Sequence, residues 1–437
     1  MPPPPPDSPA GAGSTGEARA SPSARAQRRT RGDPMTPLEL RSSVSLASLF
    51  ALRMLGLFLI LPVFAVHARS LPGGHDATLI GLALGIYGLT QGALQIPFGM
   101  ASDRFGRKPV IVFGLLVFAA GSFVAAATDD LVVTIVGRAI QGAGAISAAI
   151  TALIADSTRD SQRTKAMAMV GASIGLTFSL SLVGAPLLYE AVGMGGIFAV
   201  TGLLALAAIA VITLVTPAVP QAAAAAATQA GRTPFARIAL DTDLLRLNFG
   251  IFTLHSAQMA MFVVLPTWLA DRGGIALGDH WKLYLPVVLL SFALMAPPLF
   301  WSERAGRLRP LFLAAVALLL AVQVLLSLQP GGLVPLALLL LAFFVGFNIL
   351  EASLPSLVSQ LAPPDAKGTA LGIYNTTQSL GLFFGGLLGG WVQQQWGKPA
   401  VFDACAVLMA VWLLVAAGQR RWPASARSRA VARENRF

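Results

Sequence analysis

The sequence predicts an all-α membrane protein whose twelve transmembrane helices form two pseudo-symmetric six-helix bundles. Three observations predict it. Apolar runs of crossing length recur twelve times, charge is confined to the short breaks between them, and one charged loop recurs in the equivalent break of each half.

The runs come in order. Val44–Val66, Thr78–Met100, Pro109–Ala127, Leu131–Ala155, Ala166–Leu188 and Gly195–Thr216 precede a longer break. Leu247–Leu269, Leu283–Phe300, Leu311–Leu328, Leu333–Val358, Thr369–Val392 and Val401–Ala417 follow it. Each reaches about 20 residues, the length a helix needs to cross a hydrocarbon core about 30 Å thick. Lipid cannot satisfy the backbone of an open sheet, so the runs are read as helices. Barrel strands would be shorter and would alternate in polarity.

The expected organisation is a tail over 1–40, a bundle over 41–217, a linker over 218–244, a bundle over 245–418 and a basic tail over 419–437. The first tail is rich in Pro, Ala, Ser and Arg and lacks apolar periodicity, which predicts disorder. The linker's Ala222–Ala227 run could be weakly helical.

Composition agrees. Of 437 residues, 55% are hydrophobic and 12% charged. Soluble domains carry about twice that charged fraction. A surface facing lipid can dispense with charge, and the mean hydropathy is +0.70. The net charge of +11 lies in connectors and tails, not on one folded face, so nucleic acid is not an expected partner. Basic connectors read instead as orientation signals. Connectors on the side of the termini collect Arg104, Arg107, Lys108, Arg159, Arg163, Lys165, Arg304, Arg307 and Arg309. The other side carries only Arg69, Arg272, Lys282 and Lys398. Both termini are therefore expected in the cytoplasm.

Several chemistries are excluded. The single cysteine, Cys405, permits no intrachain disulfide. His67, His75, His255 and His280 lie too far apart in sequence for a metal-ligand spacing. No phosphate-cradling G-x-x-x-x-G-K-[ST] loop occurs, since Gly397-Lys398 is followed by Pro399. No cofactor, metal, ATPase or nucleophile–base pair is expected.

The recurring loop reads Ser102-Asp103-Arg104-Phe105-Gly106-Arg107-Lys108-Pro109 after the second run and Ser302-Glu303-Arg304-Ala305-Gly306-Arg307-Leu308-Arg309-Pro310 after the eighth. Acid, Arg, Gly and Arg keep their spacing. Two parallel six-helix repeats are a design of secondary transporters, with the substrate path at their interface. In the first loop, Gly99 allows close helix packing and Gly106 a tight turn. Asp103 stands at a helix end, where it can favour a neighbouring helix N-terminus. The bland reading of Arg104, Arg107 and Lys108 is a positive loop in water.

From Gly99 to Lys108 the segment resembles the signature loop of the major facilitator superfamily, matching G-x-x-x-D-R-x-G-R-K at every fixed position. Gly137-Arg138-Ala139-Ile140-Gln141-Gly142-Ala143-Gly144 resembles the fourth-helix motif of its drug/proton antiporters. Gly184-Ala185-Pro186 resembles the fifth-helix antiporter motif in part, with Ala185 interrupting the usual Gly-Pro pair. Leu52-Arg53-Met54-Leu55-Gly56, Gly85 to Gln91, Ile96-Pro97-Phe98-Gly99 and Leu247-Asn248-Phe249-Gly250-Ile251 are similar to the YajR-type transporters of bacterial inner membranes, and the likeness runs from about Leu46 to Gly418. Such proteins can carry a soluble domain after the last helix. Here a short basic tail stands there, and no role of that domain is expected. The resemblance implies that Asp103, Arg107 and Asp156 form a charge relay, latching the inner helix ends when the protein opens outward. A static ion pair is the alternative.

Charges inside the runs form a second set. Arg53, Arg138 and Glu351 each interrupt an apolar stretch. A charge at that depth costs roughly 2.5–3.5 kcal/mol on insertion scales, so it normally faces a cavity or a partner. Glu351 is the lone acid well inside a run. A carboxylate in low dielectric can bind and release a proton near neutral pH, which makes Glu351 the proton-coupling candidate. A permanent pair with Arg53 or Arg138 is the alternative. His255 could line the path or be a hydrogen-bonded packing residue. Asn248, Gln95, Gln141, Asn348 and Asn375 could line the cavity or bond between helices. The glycine ladders Gly81/Gly85/Gly88/Gly92 and Gly381/Gly385/Gly389 are read as packing.

The function these features predict is proton-coupled export of small, fairly apolar compounds by alternating access, from a monomer in the inner membrane. Its partners are a small-molecule substrate, protons and lipid. The alternative is a facilitator or importer of a small metabolite. A non-transporting sensor is disfavoured, because neither tail reads as an output domain.

Overall fold

The computed structural model describes Met1 and residues 34–217, 233–363 and 366–422. Ala222–Ala227, most of the 1–40 tail and 423–437 lie outside the described residues. Among the described residues there is no strand.

The first half contains α1 (Pro37–Phe58), α2 (Leu61–Ala68), α3 (Ala77–Phe105), α4 (Arg107–Ala126), α5 (Leu131–Ala143), α6 (Ser147–Ser157) and α7 (Asp160–Ala210). A π-helical turn, Val211–Val215, ends it. A short α8 (Phe235–Ala239) leads to α9 (Thr242–Asp271), α10 (Trp281–Ala305), α11 (Leu308–Ser327), α12 (Leu333–Leu361), α13 (Lys367–Trp396) and α14 (Lys398–Ala417). Ten described segments are long and apolar enough to cross a membrane, counting α1–α2 and α5–α6 as one each. One of them, Lys165–Val215, is broken at Gly193, whose φ of 68° leaves the helical region. At about 1.5 Å per residue that segment would run roughly 75 Å, so it is two crossings. Glycine-rich α13 has the length of a crossing with less apolar character, and it completes the expected twelve.

Local chemistry sets the ends. Thr36 and Glu39 form a reciprocal capping box, which starts α1 a turn before the expected 41. Side chains of Asp76, Asp130 and Asp241 accept the first backbone N–H groups of α3, α5 and α9. Gly106 (φ 94°, ψ 151°) and Gly306 (φ 68°, ψ 25°) end α3 and α10, so both loops turn on a positive-φ glycine although the two glycines differ in ψ.

The fourth run departs from expectation. It breaks between α5 and α6 across Gly144–Ile146. A Cβ on Gly142 would strike Thr90 and the Tyr87 carbonyl, and one on Gly144 the Gly114 carbonyl. Close approach to α3 and α4, not hydropathy, places this break.

The halves meet along α3/α13, α7/α10 and α2/α9. The α3/α13 seam is backbone against backbone. A Cβ on Gly85 would lie 2.7 Å from the Phe383 carbonyl, and one on Gly81 or Gly88 would meet the Gly386 or Ser379 carbonyl. Gly381 and Gly385 press α13 equally closely onto Phe252 and Ser256 of α9. One face of α13 thus serves each half.

Alternating crossings give the bundle two ends. At the end carrying Arg69, Arg69 bonds Asp271 at 3.1 Å and Lys398 bonds the same carboxylate at 2.7 Å. There the Ala77 N–H also donates to Gln394 at 2.8 Å. Deeper in, Phe178 of α7 stacks on Phe347 and lies edge-on to Phe262. These contacts join the halves and seal that end. At the end carrying Arg107, the ion pairs seen stay within one half: Glu39 with Arg159, and Asp241 and Asp243 with Arg421. Those aspartates hold the Arg421 guanidinium pKa above its ordinary value. The basic tail therefore begins docked, with Trp422 edge-on to Phe312.

Candidate functional site

The loop cluster is built on Gly106, whose left-handed turn brings the start of α4 back against α3. Arg107 is the hub. Its Nε lies 3.0 Å from Asp156 at the end of α6. It also pairs with Asp103 and donates to Ser102 Oγ at 2.8 Å. Ser102 in turn donates to the Gly99 carbonyl at 2.7 Å. The sequence-predicted trio is brought together, and Ser102 is an addition. Lys108 and Arg41 donate to the carbonyls of Thr216 and Val215, meeting the carbonyls freed as the last first-half helix ends. Arg104 leans over Phe105 in solvent. Gly99 departs from its expected role. A methyl there would make ordinary contact with Ala148 at 3.5 Å, so packing does not demand glycine. All three relay residues belong to the first half, and the relay is assembled while the Arg69 end is sealed. By itself it ties α3, α4 and α6 and does not bridge the halves.

The intramembrane charges separate into two groups. Arg53 and Arg138 flank Tyr87 in the first half, 5.9 Å and 5.1 Å from its ring centre. Arg53 donates to Tyr87 Oη at 2.6 Å and to Ser147 Oγ at 3.2 Å. Arg138 donates to Gln141 and to the Ala83 and Leu84 carbonyls. Cation–π contact and carbonyl acceptors replace a carboxylate here.

Glu351 lies elsewhere, so the alternative reading of a permanent pair with either arginine is not met. The reason is helix face: the arginines point into the α1–α3–α5 packing, while Glu351 of α12 faces α9 and α13. Its Oε2 stands 3.8 Å from His255 Nε2, and Gln378 Nε2 stands 3.5 Å from Oε1. The same Gln378 nitrogen is 2.8 Å from His255 Nε2. Glu351 Oε2 has no hydrogen-bond partner among the described residues. His255 is buried and hydrogen-bonded, as a packing residue would be, and it also stands beside the acid.

Gln378 and Tyr87 were missed by sequence reasoning, which singled out the intramembrane charges and five other amides. Two of those amides fall as interhelical bonds: Gln141 to Ser122 at 2.7 Å and Asn348 to Ser291 at 3.1 Å. A pocket of about 300 Å³ at the Arg69 end is lined by Trp268, Asp271, Lys398 and Phe402 and includes none of the candidate residues.

Two helical halves joined along a close-packed glycine seam, each holding a buried polar cluster, with a loop of this geometry, are the architecture of a class of membrane transporter. The profile of the Major Facilitator Superfamily matches residues 46–386 and 287–435, and the chain belongs to that family. It is 43% identical over 389 residues to the inner membrane transport protein YajR of Escherichia coli strain K12, covering 89% of this chain and 85% of that one. It is 27% identical over 344 residues to the multidrug resistance protein MdtH of Aeromonas hydrophila, covering 77% of this chain and 82% of that one. A bacterial homologue of the lysosomal transporter Spinster, in an inward-facing and occupied conformation, shares the fold. Its TM-score is 0.72 at 12% identity, over 90% of this chain and all of that one. The protein is a multi-pass membrane transporter and not an enzyme.

Proposed function

We propose that the protein exports small, fairly apolar compounds in exchange for protons, from a bacterial inner membrane with both termini in the cytoplasm. The moving bodies are the 41–217 and 245–418 bundles of a monomer, joined by the 218–244 linker. The observation that carries the reading is Glu351. It faces the bundle interior beside His255 and Gln378, and among the described residues no arginine is bonded to it, so no arginine pair opposes a change in its protonation. Its side chain is 34% exposed although the Arg69 end is sealed, which supports access from the Arg107 end. The basic connectors at that end support its cytoplasmic side. Names of relatives support the rest: YajR is an inner membrane protein, and MdtH a multidrug resistance protein.

In this reading Arg53, Arg138 and Tyr87 form the positive wall of the first half. Asp103, 68% exposed, completes the latch only when the N-terminal end of α13 swings toward it. The favourable dipole at that helix end supplies the attraction.

The test is flux in proteoliposomes under an imposed pH gradient, for a substrate found by ligand screening. Glu351→Gln is expected to bind substrate and lose gradient-driven flux. A mutant that still follows the gradient removes Glu351 as the coupling site.

A further inference from the structure

We propose that Gln378 is a positioning residue that carries the protonation state of the Glu351–His255 pair to the helix shared by the two halves. The proposal rests on the proton-coupling reading of Glu351.

The atoms impose the roles. His255 Nδ1 lies 3.3 Å from the Ile251 carbonyl, which can only accept, so Nδ1 carries the hydrogen. His255 Nε2 is then an acceptor, and the Gln378 amide N–H₂ donates to it at 2.8 Å. The same amide nitrogen is the group nearest Glu351 Oε1, at 3.5 Å. One amide therefore touches both titratable partners, and it faces each with hydrogens.

Moving the proton reverses this arrangement. A carboxylic acid at Glu351 and a neutral imidazole at His255 exchange for a carboxylate and an imidazolium, as the Oε2–H bond breaks and an Nε2–H bond forms. No further reactant is needed. Nε2 is now a donor, and an amide N–H₂ opposite it has two donors facing each other. The amide must turn to present its oxygen, or α13 must shift. The other titratable group here is Tyr374, one turn earlier on α13, whose buried hydroxyl has no hydrogen-bond partner among the described residues. The nearest intramembrane cations of the first half, Arg53 and Arg138, are engaged with Tyr87, Ser147, Gln141 and backbone of α3.

The consequence reaches the other half at one neighbouring position, while a second ties the same turn to α9. Ser379 follows Gln378 directly, and its carbonyl abuts Gly88 of α3. Three residues on, the Gly381 carbonyl accepts from Ser256 Oγ at 3.1 Å, one position beyond His255 on α9. A turn of α13 that reads the proton is thus wedged against α9 on one face and α3 on the other, with no side-chain slack at the glycines. Such a segment cannot rotate without moving the α3 seam.

The experiment needs no cargo. Spin labels on Ser70→Cys and Gln395→Cys, in a Cys405→Ala background, report the separation of the halves at the Arg69 end as pH varies. The full chain is used in nanodiscs. The ratio of open to closed distances is expected to change by roughly tenfold across the titration in the parent protein, within the usual range of coupling factors. Gln378→Met, which keeps the shape and removes both polar atoms, is expected to leave less than about twofold change while both distances remain populated. Gln378→Leu serves if the Met variant does not fold. A merely structural glutamine would lower the melting temperature and leave the pH response in place, and that result overturns the proposal. A flat response in Glu351→Gln beside a normal one in Gln378→Met rejects the relay and keeps Glu351. A normal response in Glu351→Gln, or none in the parent, rejects both.

Discussion

Arg107 holds three partners at once, and the strength of that grip differs from its use. Its ion pairs are partly exposed, and such pairs contribute about 0.2–1 kcal/mol each. Asp103→Asn is therefore expected to change the melting temperature little. If the loop stabilises one transport state, the same substitution should cut flux by about tenfold, since about 1.4 kcal/mol between states is a factor of ten. Melting curves beside flux measurements check this; unchanged flux leaves only a static ion pair. The grouping of Asp103, Arg107 and Asp156 was foreseen through the loop's resemblance to the family signature, and the spacing of the charges alone would not have named Asp156. Glu351's partners were not foreseen. Linear order gave its depth in the run and not the face of α12 it occupies, so Arg53 and Arg138 looked available. Gln378, uncharged, gave no signal beyond being an amide in a span.

At the scale of elements, most helices follow from apolar runs, and the exceptions follow from glycine. The break between α5 and α6 and the thinly apolar α13 are set by backbone contacts that hydropathy does not register. The glycine ladders were read as packing, which they are, but sequence could not say that one ladder faces the opposite half. The seam makes a sharp contrast testable. Gly85→Val places side-chain atoms where the Phe383 backbone stands, and overpacking of this kind costs about 1–3 kcal/mol. Gly99→Ala meets open packing and should be neutral. Thermal unfolding in detergent of both variants measures the difference. Equal melting temperatures would refute the seam as described.

The whole molecule is sealed where Arg69, Asp271 and Lys398 meet. Asp271 is the shared carboxylate between a connector of the first half and two elements of the second. Asp271→Asn should favour opening at that end, raising the reactivity of Ser70→Cys toward an impermeant thiol reagent by a few-fold, as expected for a loss near 1 kcal/mol. The same reagent fixes orientation. Cysteines beside Arg104 and Arg304 should be protected together in right-side-out cells, and labelling of one alone would contradict the parallel halves. The fold class was legible at this scale, because the apolar runs and the loop repeat survive without coordinates. Which end is shut in a given state depends on side-chain contacts between distant segments, and no local pattern announces them.

The docked stretch after α14 bears on how the protein can be handled. Arg421 neutralises two carboxylates at the first turn of α9, and Trp422 covers Phe312 of α11. An affinity handle fused right behind Gly418 would strip that cover and leave Asp241 and Asp243 without this guanidinium, loosening the helix that carries His255. Fusion beyond Trp422 spares the strap, so the junction chosen for purification decides whether the second bundle is studied intact.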